Sequence, residues 1–200
     1  MNNAVKLATN AYLTWSEPIS LVHFISLRCN ARCKHCFIDF DDPETYRGEM
    51  TLDEIREMTK HMGGSLLNAN LTGGEPFLRR DIWEIAEAYF KNAKVKSLYI
   101  TTNGMFTAFT KELIDKFLSS GIDGKLIFAI SIDNFEEGHD ENRRVKGLFK
   151  NAIATYKMIK SYDRPNILAD IALTVIHNNY DQVVPLYNYL KKEYGVNAFT

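Results

Sequence analysis

Three cysteines lie within eight residues of this chain, and the sequence contains no others. Cys29, Cys33 and Cys36 form the segment Cys-Asn-Ala-Arg-Cys-Lys-His-Cys, directly after an apolar run at residues 21–27 that is typical of a strand. Three thiolates can ligate three irons of a 4Fe–4S cubane, whereas a closed cluster site normally uses four cysteines. The spacing therefore predicts a cluster with one iron open to a non-protein ligand, which favours chemistry over passive storage.

These cysteines have other conceivable uses. A Cys3His zinc site with His35 is disfavoured, because structural zinc ligands usually come in separated pairs and His35 is adjacent to Cys36. A disulfide is disfavoured by the odd cysteine count and by the absence of a secretory segment. Buried, inert cysteines are disfavoured because Arg28, Arg32 and Lys34 occupy the same stretch. We expect these cations to favour the thiolate forms.

A glycine motif, Gly73-Gly74-Glu75-Pro76, follows a second apolar run. The two glycines permit backbone conformations and close approaches that a Cβ atom would block. We expect Glu75 to face the mouth of a cavity and Pro76 to make the turn rigid. Taken alone, the motif is equally typical of an ordinary turn between a strand and a helix.

Together, the Cys-x3-Cys-x2-Cys spacing and the glycine motif resemble those of the radical S-adenosylmethionine (radical SAM) superfamily. The resemblance implies that the open iron chelates the amino and carboxylate groups of S-adenosylmethionine (SAM). It also implies that the 4Fe–4S cluster reduces the sulfonium, which releases methionine and a 5′-deoxyadenosyl radical that abstracts hydrogen from a substrate. By the same resemblance, Gly73, Gly74, Glu75 and Pro76 bind the SAM amino group, chiefly through backbone carbonyls.

Further candidate SAM-binding residues follow the predicted third and fourth strands. Ser131 and Asp133 share an inward face, from which they can reach a ribose or a methionyl group. The segment 139–144 resembles the loop with which many relatives hold SAM, and we choose Arg143 over Arg144 as the partner of the methionyl carboxylate. Asn103 is a further candidate for contact with the cofactor.

Structural explanations of the same residues remain open. The arginines can belong to a solvated charge run that pairs with Asp140 and Glu141. Asn103 can simply form a turn with Gly104.

The composition is that of an ordinary folded chain. It has 200 residues, of which 46% are hydrophobic and 24% charged, with a formal net charge of −1. This charge predicts no nucleic-acid partner. No apolar run is long enough to span a membrane, so we expect no membrane association and a cytoplasmic location.

Alternation of apolar runs with helix-period segments predicts an α/β fold of parallel strands. We expect strands at residues 21–27, 66–71, 97–102, 126–132, 167–175 and 196–200. We expect helices after the capping box that begins at Thr51, after Asp81, and over residues 110–119, 147–160 and 180–193.

Polar residues alternate along the predicted strands, with Asn70, Tyr99, Thr101 and Asp170 among them. A sheet covered by helices on both faces would be almost continuously apolar. The polar row and the family resemblance together favour a partial TIM-like (β/α)6 barrel with a wet interior.

We divide the chain into an N-terminal extension, residues 1–20, and a radical SAM core, residues 21–200. The chain stops at the sixth predicted strand, so we expect the core to be truncated there, with further sequence in a longer protein.

The substrate is the least determined feature of the sequence. The cysteine segment and the 139–144 segment look most like the SPASM/twitch branch, which favours a peptide or protein substrate, with a small biosynthetic metabolite as the alternative. His177 and Asp170 are plausible cavity groups, although either can be structural. The resemblance also implies a flavodoxin or ferredoxin-type reductant. A non-catalytic iron–sulfur protein and a structural zinc module are the rival classes.

Overall fold

The fold is built on one five-stranded parallel sheet in the order β1-β2-β3-β4-β5. The computed structural model describes residues 5, 8–9, 12–13, 18–62 and 65–200. Most of the predicted N-terminal extension, residues 1–20, therefore lies outside the described residues. The strands are β1 (Ser20–Ser26), β2 (Asn68–Gly73), β3 (Ser97–Thr102), β4 (Lys125–Ser131) and β5 (Ile167–Ala172).

Helices alternate with these strands, as the α/β prediction requires. The described helices are α1 (Leu52–Lys60), α2 (Ile82–Lys91), α3 (Thr107–Ser119), α4 (Glu136–Arg143), α5 (Leu148–Lys160) and α6 (Val183–Tyr194). None of the described helices is long and apolar enough to cross a membrane.

The predicted capping box begins α1. The Thr51 hydroxyl accepts a hydrogen bond from the Glu54 backbone N–H, and the Glu54 carboxylate accepts one from the Thr51 N–H at 2.7 Å. Two N–H groups at the helix N-terminus are thus satisfied by side chains.

Asp81 precedes α2 as predicted but makes no side-chain cap hydrogen bond. Its carboxylate instead accepts two hydrogen bonds from Arg79, at 2.9 and 2.6 Å. Arg79 Nη1 also donates to the carbonyls of Ile25 and Met50. Arg79 therefore ties the end of β1 to the segment before α1.

The two faces of the sheet differ in their surroundings. On the helix side, Leu71, Ile100, Phe128 and Ile171 are fully buried in the core. On the other face, Val22 and Phe24 of β1 remain 56% and 45% exposed. We call this second surface the open face. The predicted polar row lies on it: Asn68, Asn70, Ser97, Tyr99, Thr101 and Asp170 are each only partly buried and alternate with core residues.

Two predictions about the elements need correction. The strand predicted at 196–200 forms only an isolated bridge between Ile171 and Phe199. Three hydrogen bonds support it: the N–H groups of Ile171, Leu173 and Thr200 donate to the carbonyls of Ala198, Thr200 and Ile171, respectively. The segment 139–144, which we expected to be a loop, lies in helix α4 up to Arg143, and Arg144 caps that helix. The parallel α/β architecture itself is confirmed.

Candidate functional site

A cavity of about 360 Å³, open to solvent, lies at the carboxyl ends of the strands. This is where ligands bind in parallel α/β folds. Eight of the eleven predicted site residues line it: Cys29, Cys33, Cys36, Gly73, Gly74, Asn103, Ser131 and Arg143. Glu75, Pro76 and Asp133 do not line it.

The glycine turn packs directly against the segment that leads into the cysteines. A Cβ atom on Gly73 would lie 1.9 Å from the Ser26 carbonyl oxygen, and one on Gly74 would lie 2.2 Å from that of Arg28. The Gly74 and Glu75 N–H groups donate to the same two carbonyls, each at 2.8 Å. Only glycines allow the two backbones to approach this closely.

Helix α4 holds the cysteine segment from the other side. The Arg32 N–H donates to the carbonyl of Arg143 at 3.3 Å, and the Lys34 N–H donates to that of Asn142 at 2.8 Å. The last carbonyls of a helix have no partner within the helix, so these two bonds satisfy groups that would otherwise need water.

A third contact reaches the cysteine segment from β3. Asn103 Nδ2 donates to Asn30 Oδ1 at 2.8 Å, and Asn103 Oδ1 accepts from the Met105 N–H at 3.0 Å. Asn103 therefore both forms the predicted turn and fixes the cysteine segment. Our sequence interpretation did not assign Asn30 a role, although its position directly after Cys29 was a usable signal.

The three cysteines are free and half-buried. Burial raises the pKa of Cys29 to about 11, and burial also raises the pKa of Cys33, although the Arg143 cation opposes the shift. Our expectation that Arg28, Arg32 and Lys34 favour the thiolates was wrong for these two residues, because burial is the largest influence on both pKa values and the cation that opposes it, at Cys33, is Arg143. Iron binding must therefore displace protons from the thiols.

The arrangement of the thiols fits a cluster better than a single ion. Within residues 18–62 and 65–200, no three Cys, His, Asp or Glu side chains are grouped so that they could hold one metal ion. The Nδ1 atom of His35 lies 3.0 Å from Asn142 Nδ2. A cubane binds its three cysteines through separate irons, so the thiols need only line a common cavity, as they do here.

Glu75 is fully buried, and our prediction that it faces the cavity mouth was wrong. Its carboxylate accepts hydrogen bonds from the Phe77 N–H, the Thr102 hydroxyl and the Asn103 N–H, at 3.1, 2.8 and 2.8 Å. Burial raises the pKa of Glu75 to about 7 despite these bonds and the Arg143 cation. Glu75 joins the glycine turn to the end of β3. Pro76 is also buried and begins a short 3-10 turn, Pro76–Leu78.

Arg143 and Asp133 form an ion pair beside the cavity. Arg143 Nε and Nη2 lie 2.9 and 2.8 Å from Asp133 Oδ2, and both side chains are at least nine-tenths buried. Asp133 Oδ1 accepts from the Thr174 N–H at 3.1 Å. Asp133 therefore supports Arg143 and does not reach the cavity itself. Arg144, by contrast, is exposed and ends α4 in a left-handed conformation.

His139 is a buried residue of this region that our sequence interpretation gave no role. Its Nδ1 accepts a hydrogen bond from the Asp133 N–H at 3.2 Å, and its buried Nε2 has no hydrogen-bond partner among the residues that the structure describes. Burial lowers the pKa of His139 to about 4, so the ring is neutral at physiological pH. His139 thereby joins α4 to the segment after β4.

The segment after β5 has a mainly structural role. Asn179 is buried, donates to the carbonyls of Asp133 and Thr174, and accepts from the Ile176 N–H. His177 is exposed, and its ring centroid lies 6.1 Å from that of Tyr180 with the two planes tilted by 30°. The structure does not bring His177 into the cavity with the cysteines.

A parallel α/β sheet with a cofactor-sized cavity at its carboxyl end is the architecture of a cofactor-dependent α/β protein. Residues 24–190, most of the chain, match the family model described as the Radical SAM superfamily. The chain belongs to this superfamily. Its members use a 4Fe–4S cluster and SAM, so the predicted family and its two cofactors are confirmed.

Curated relatives share about three residues in ten with this chain. Pre-heme d1 synthase of Dinoroseobacter shibae is 31% identical over 88% of this chain and 41% of its own length. The AdoMet-dependent heme synthase of Methanosarcina barkeri is 30% identical over 92% of this chain and 50% of its own length. The chain thus spans half or less of the length of these two relatives.

Solved structures share the fold. The structure described as anSMEcpe with bound AdoMet has a TM-score of 0.69 and 22% identity, over 90% of this chain and 49% of the other. SuiB of Streptococcus suis bound to precursor peptide SuiA also has a TM-score of 0.69 and 22% identity, over 98% of this chain and 41% of the other.

Proposed function

We propose that this chain is the core of a radical SAM enzyme in which Cys29, Cys33 and Cys36 ligate a 4Fe–4S cluster. The observation that carries the proposal is that all three free thiols line one cavity together with the glycine turn and Arg143. When bound, the cluster supplies the electron that cleaves SAM into methionine and a 5′-deoxyadenosyl radical. We also propose that a flavodoxin or ferredoxin-type protein delivers this electron.

The cavity residues divide into those that contact SAM and those that position them. The backbone of Gly73 and Gly74, with Asn103, Ser131 and Arg143, forms the wall that contacts SAM. Arg143 pairs with the methionyl carboxylate, because its Nη1 is used by no hydrogen bond within the described residues. Glu75, Pro76 and Asp133 act from outside the cavity by fixing the glycine turn and Arg143.

We propose a peptide or protein side chain as the substrate. The cysteine segment and the residues of α4 carry the resemblance to peptide-modifying relatives. The open face adjoins the cavity, since Thr101 lies on this face and lines the cavity, and Val22 and Phe24 are exposed on it. SuiB, which shares the fold, has been solved with a precursor peptide.

A haem-type tetrapyrrole is the second candidate substrate. Two curated relatives with 31% and 30% identity over most of this chain are named for haem synthesis. Deuterium transfer to 5′-deoxyadenosine separates the two candidates when the full-length protein is offered deuterated peptide libraries and deuterated porphyrins in parallel. Label arriving only from a porphyrin contradicts the peptide proposal.

Adjacent arginines provide a matched test of the SAM site. Arg143→Lys removes a planar donor from the cavity wall, whereas Arg144→Lys makes the same change on the exposed surface. After anaerobic reconstitution, we expect Arg143→Lys to weaken SAM binding by about tenfold or more, the equivalent of about 1.4 kcal/mol. Equilibrium dialysis measures the dissociation constants. Equal losses in the two variants contradict the assignment of Arg143.

A further inference from the structure

Asp133 is the buried residue that supports Arg143, and each of its polar groups has a partner. Its Oδ2 atom faces the Arg143 guanidinium, and its Oδ1 atom accepts from the Thr174 N–H. Its carbonyl accepts from Asn179 Nδ2 at 2.8 Å, and its N–H donates to His139 Nδ1 at 3.2 Å. Because Asp133 is 1% exposed, bulk water cannot replace a lost partner.

His139 and Arg143 reach Asp133 from the same side of helix α4. The two residues are four positions apart, so their side chains lie on one face of the helix. Both are buried, with exposures of 0% and 7%. His139 binds the main chain of Asp133 and Arg143 binds its carboxylate, so a change at one contact is transmitted to the other through a single residue.

The hydrogen bond to Asp133 fixes the protonation state of His139. Because Nδ1 accepts the N–H, the ring is neutral and carries its proton on Nε2. Burial, followed by the Arg143 cation, lowers the pKa of His139 to about 4, which keeps the ring in this form. The Nε2–H lies in the core without a hydrogen-bond partner in the described part of the chain. An unpartnered buried donor costs stability, so packing alone does not account for a histidine here.

We propose that His139 is a positioning residue for SAM: its Nδ1 accepts the Asp133 N–H and so fixes the carboxylate that holds Arg143 at the cavity. This inference rests on the proposed function in taking Arg143 as the partner of the methionyl carboxylate. Asp133 binds Nε and Nη2 of Arg143, which leaves Nη1 for the ligand. A guanidinium that is already held in place loses less freedom on binding, so its support raises the affinity for SAM.

His139 does not line the cavity, so it acts through other residues and not on SAM itself. Its effect on SAM must pass through Asp133 to Arg143. Loss of its Nδ1 is therefore expected to change SAM affinity only while Arg143 is present, whereas a general packing defect would act in either background.

Two amide variants separate the two ring nitrogens. The Oδ1 atom of an asparagine lies as many bonds from the main chain as His139 Nδ1, and the Oε1 atom of a glutamine lies as many as Nε2. His139→Asn therefore keeps an acceptor for the Asp133 N–H, whereas His139→Gln moves the acceptor one bond further out. Both variants lose the ring that packs edgewise against Phe149, with centroids 5.9 Å apart. The loss of packing is thus shared, and His139→Asn is the matched control.

Equilibrium dialysis of the anaerobically reconstituted protein measures the dissociation constant for SAM. We expect His139→Gln to weaken SAM binding by about fivefold or more and His139→Asn to remain within about twofold of the unmodified protein. In an Arg143→Lys background, we expect His139→Gln to cause a further loss of no more than about twofold.

Equal affinity of His139→Asn and His139→Gln for SAM overturns the proposal, whether both bind normally or both bind weakly. Losses that multiply in the double variant overturn it as well, because His139 would then act independently of Arg143. Both results refute the role of His139 and leave the proposed function standing. Absence of SAM binding by the unmodified protein refutes the proposed function, and this role with it.

Hydrogen exchange of the unmodified protein covers the case in which a variant fails to fold. The Asp133 N–H is buried and bonded, so we expect its exchange to be slow. We expect SAM to slow it further, because SAM stabilises the arrangement to which it binds. Mass spectrometry with fragmentation to single residues measures the exchange of this amide. Fast exchange, or exchange that SAM does not change, overturns the proposal.

Discussion

Asp133 forms a buried ion pair with Arg143, and the Arg143 and Asp133 side chains are 8% and 1% exposed. Removing one partner of a buried ion pair leaves an uncompensated charge, which costs far more than losing a surface pair. The ion pair that positions Arg143 can therefore be tested through protein stability, separately from the proposed contact of Arg143 with SAM.

Asp133→Asn leaves the buried guanidinium of Arg143 without its counter-charge. We expect the free energy of unfolding to fall by about 3 kcal/mol, because a broken buried pair typically costs that much or more. Urea denaturation of the metal-free protein measures it. Asp123→Asn, at an exposed position, is the matched control and is expected to change stability by less than about 0.5 kcal/mol. A similarly small loss in Asp133→Asn contradicts the importance of the pair.

Glu75 makes stability depend on pH in a defined direction. Burial raises its pKa from 4.5 to about 7, so between these values the folded state binds more protons than the unfolded state. The contribution of Glu75 to the free energy of unfolding is therefore fully present below about pH 4.5 and is lost as the pH rises through about 7. His139 acts in the opposite sense: its pKa is lowered to about 4, so its contribution is lost as the pH falls from 6.5.

Glu75→Gln removes one of these opposing contributions. The free energy of unfolding of the unmodified protein minus that of the variant is expected to fall by roughly 3 kcal/mol between pH 4 and pH 8. A rise in pKa from 4.5 to about 7 corresponds to that energy. Denaturation series at several pH values measure the difference. The exposed Glu137→Gln serves as the control. A constant difference between the unmodified protein and Glu75→Gln contradicts the raised pKa.

At the scale of elements, the cysteine segment is fixed by its neighbours more than by its own sequence. The glycine turn after β2, Asn103 after β3 and the last carbonyls of α4 all hydrogen-bond to residues 28–34. Three other elements, β2, β3 and α4, must therefore be in place for the three thiols to meet at one cavity.

Gly74→Ala tests this dependence. The new Cβ would lie 2.2 Å from the Arg28 carbonyl oxygen, so the backbone that leads into Cys29 must move. We expect the variant to lose most of its iron after reconstitution, measured as iron and acid-labile sulfide per chain. Gly121→Ala is the control: Gly121 has a φ of +68° with open space around it, so alanine costs about 1–2 kcal/mol of backbone strain but leaves iron binding intact. Full iron loading of Gly74→Ala contradicts the role of the glycine turn.

The elements that the sequence predicted are those with strong local signals. The first five strands and α1 were predicted because apolar alternation and the Thr51 capping box are visible in the chain. Helix α4 was not, because the segment Glu136–Arg143 buries only His139 and Arg143 and shows no apolar stripe. The sixth strand was predicted from composition, but only three of its residues pair with β5.

The sequence predicted which residues form the candidate site better than it predicted how those residues are arranged. The cysteine spacing, together with the family resemblance, pointed to the three cysteines, the glycine turn, Asn103, Ser131 and Arg143. All of these except Glu75 and Pro76 of the turn line the cavity. The burial of Glu75 and Asp133 could not be predicted, since it depends on how α4 and the end of β3 pack. The thiol pKa values depend on the same packing, because burial raises the pKa of Cys29 and Cys33 and the opposing cation at Cys33, Arg143, comes from helix α4.

At the scale of the whole molecule, one face of the sheet supplies stability and the other supplies the site. The helices bury the first face in a continuous apolar core, whereas Val22 and Phe24 stay exposed on the second. This division lets polar groups such as Asn70 and Asp170 occupy a sheet whose other side is almost wholly apolar. It also places the proposed substrate surface next to the proposed cofactor site.

The central claim is that the three cysteines hold a cluster with one iron open to SAM. Electron paramagnetic resonance of the anaerobically reconstituted, dithionite-reduced protein, recorded with and without SAM, tests it most directly. We expect a reduced 4Fe–4S signal that SAM changes in shape and position, and loss of that signal in Cys36→Ala. A cluster signal that SAM leaves unchanged indicates a non-catalytic iron–sulfur protein. Stoichiometric zinc without a cluster signal contradicts the account entirely and makes the cysteines structural.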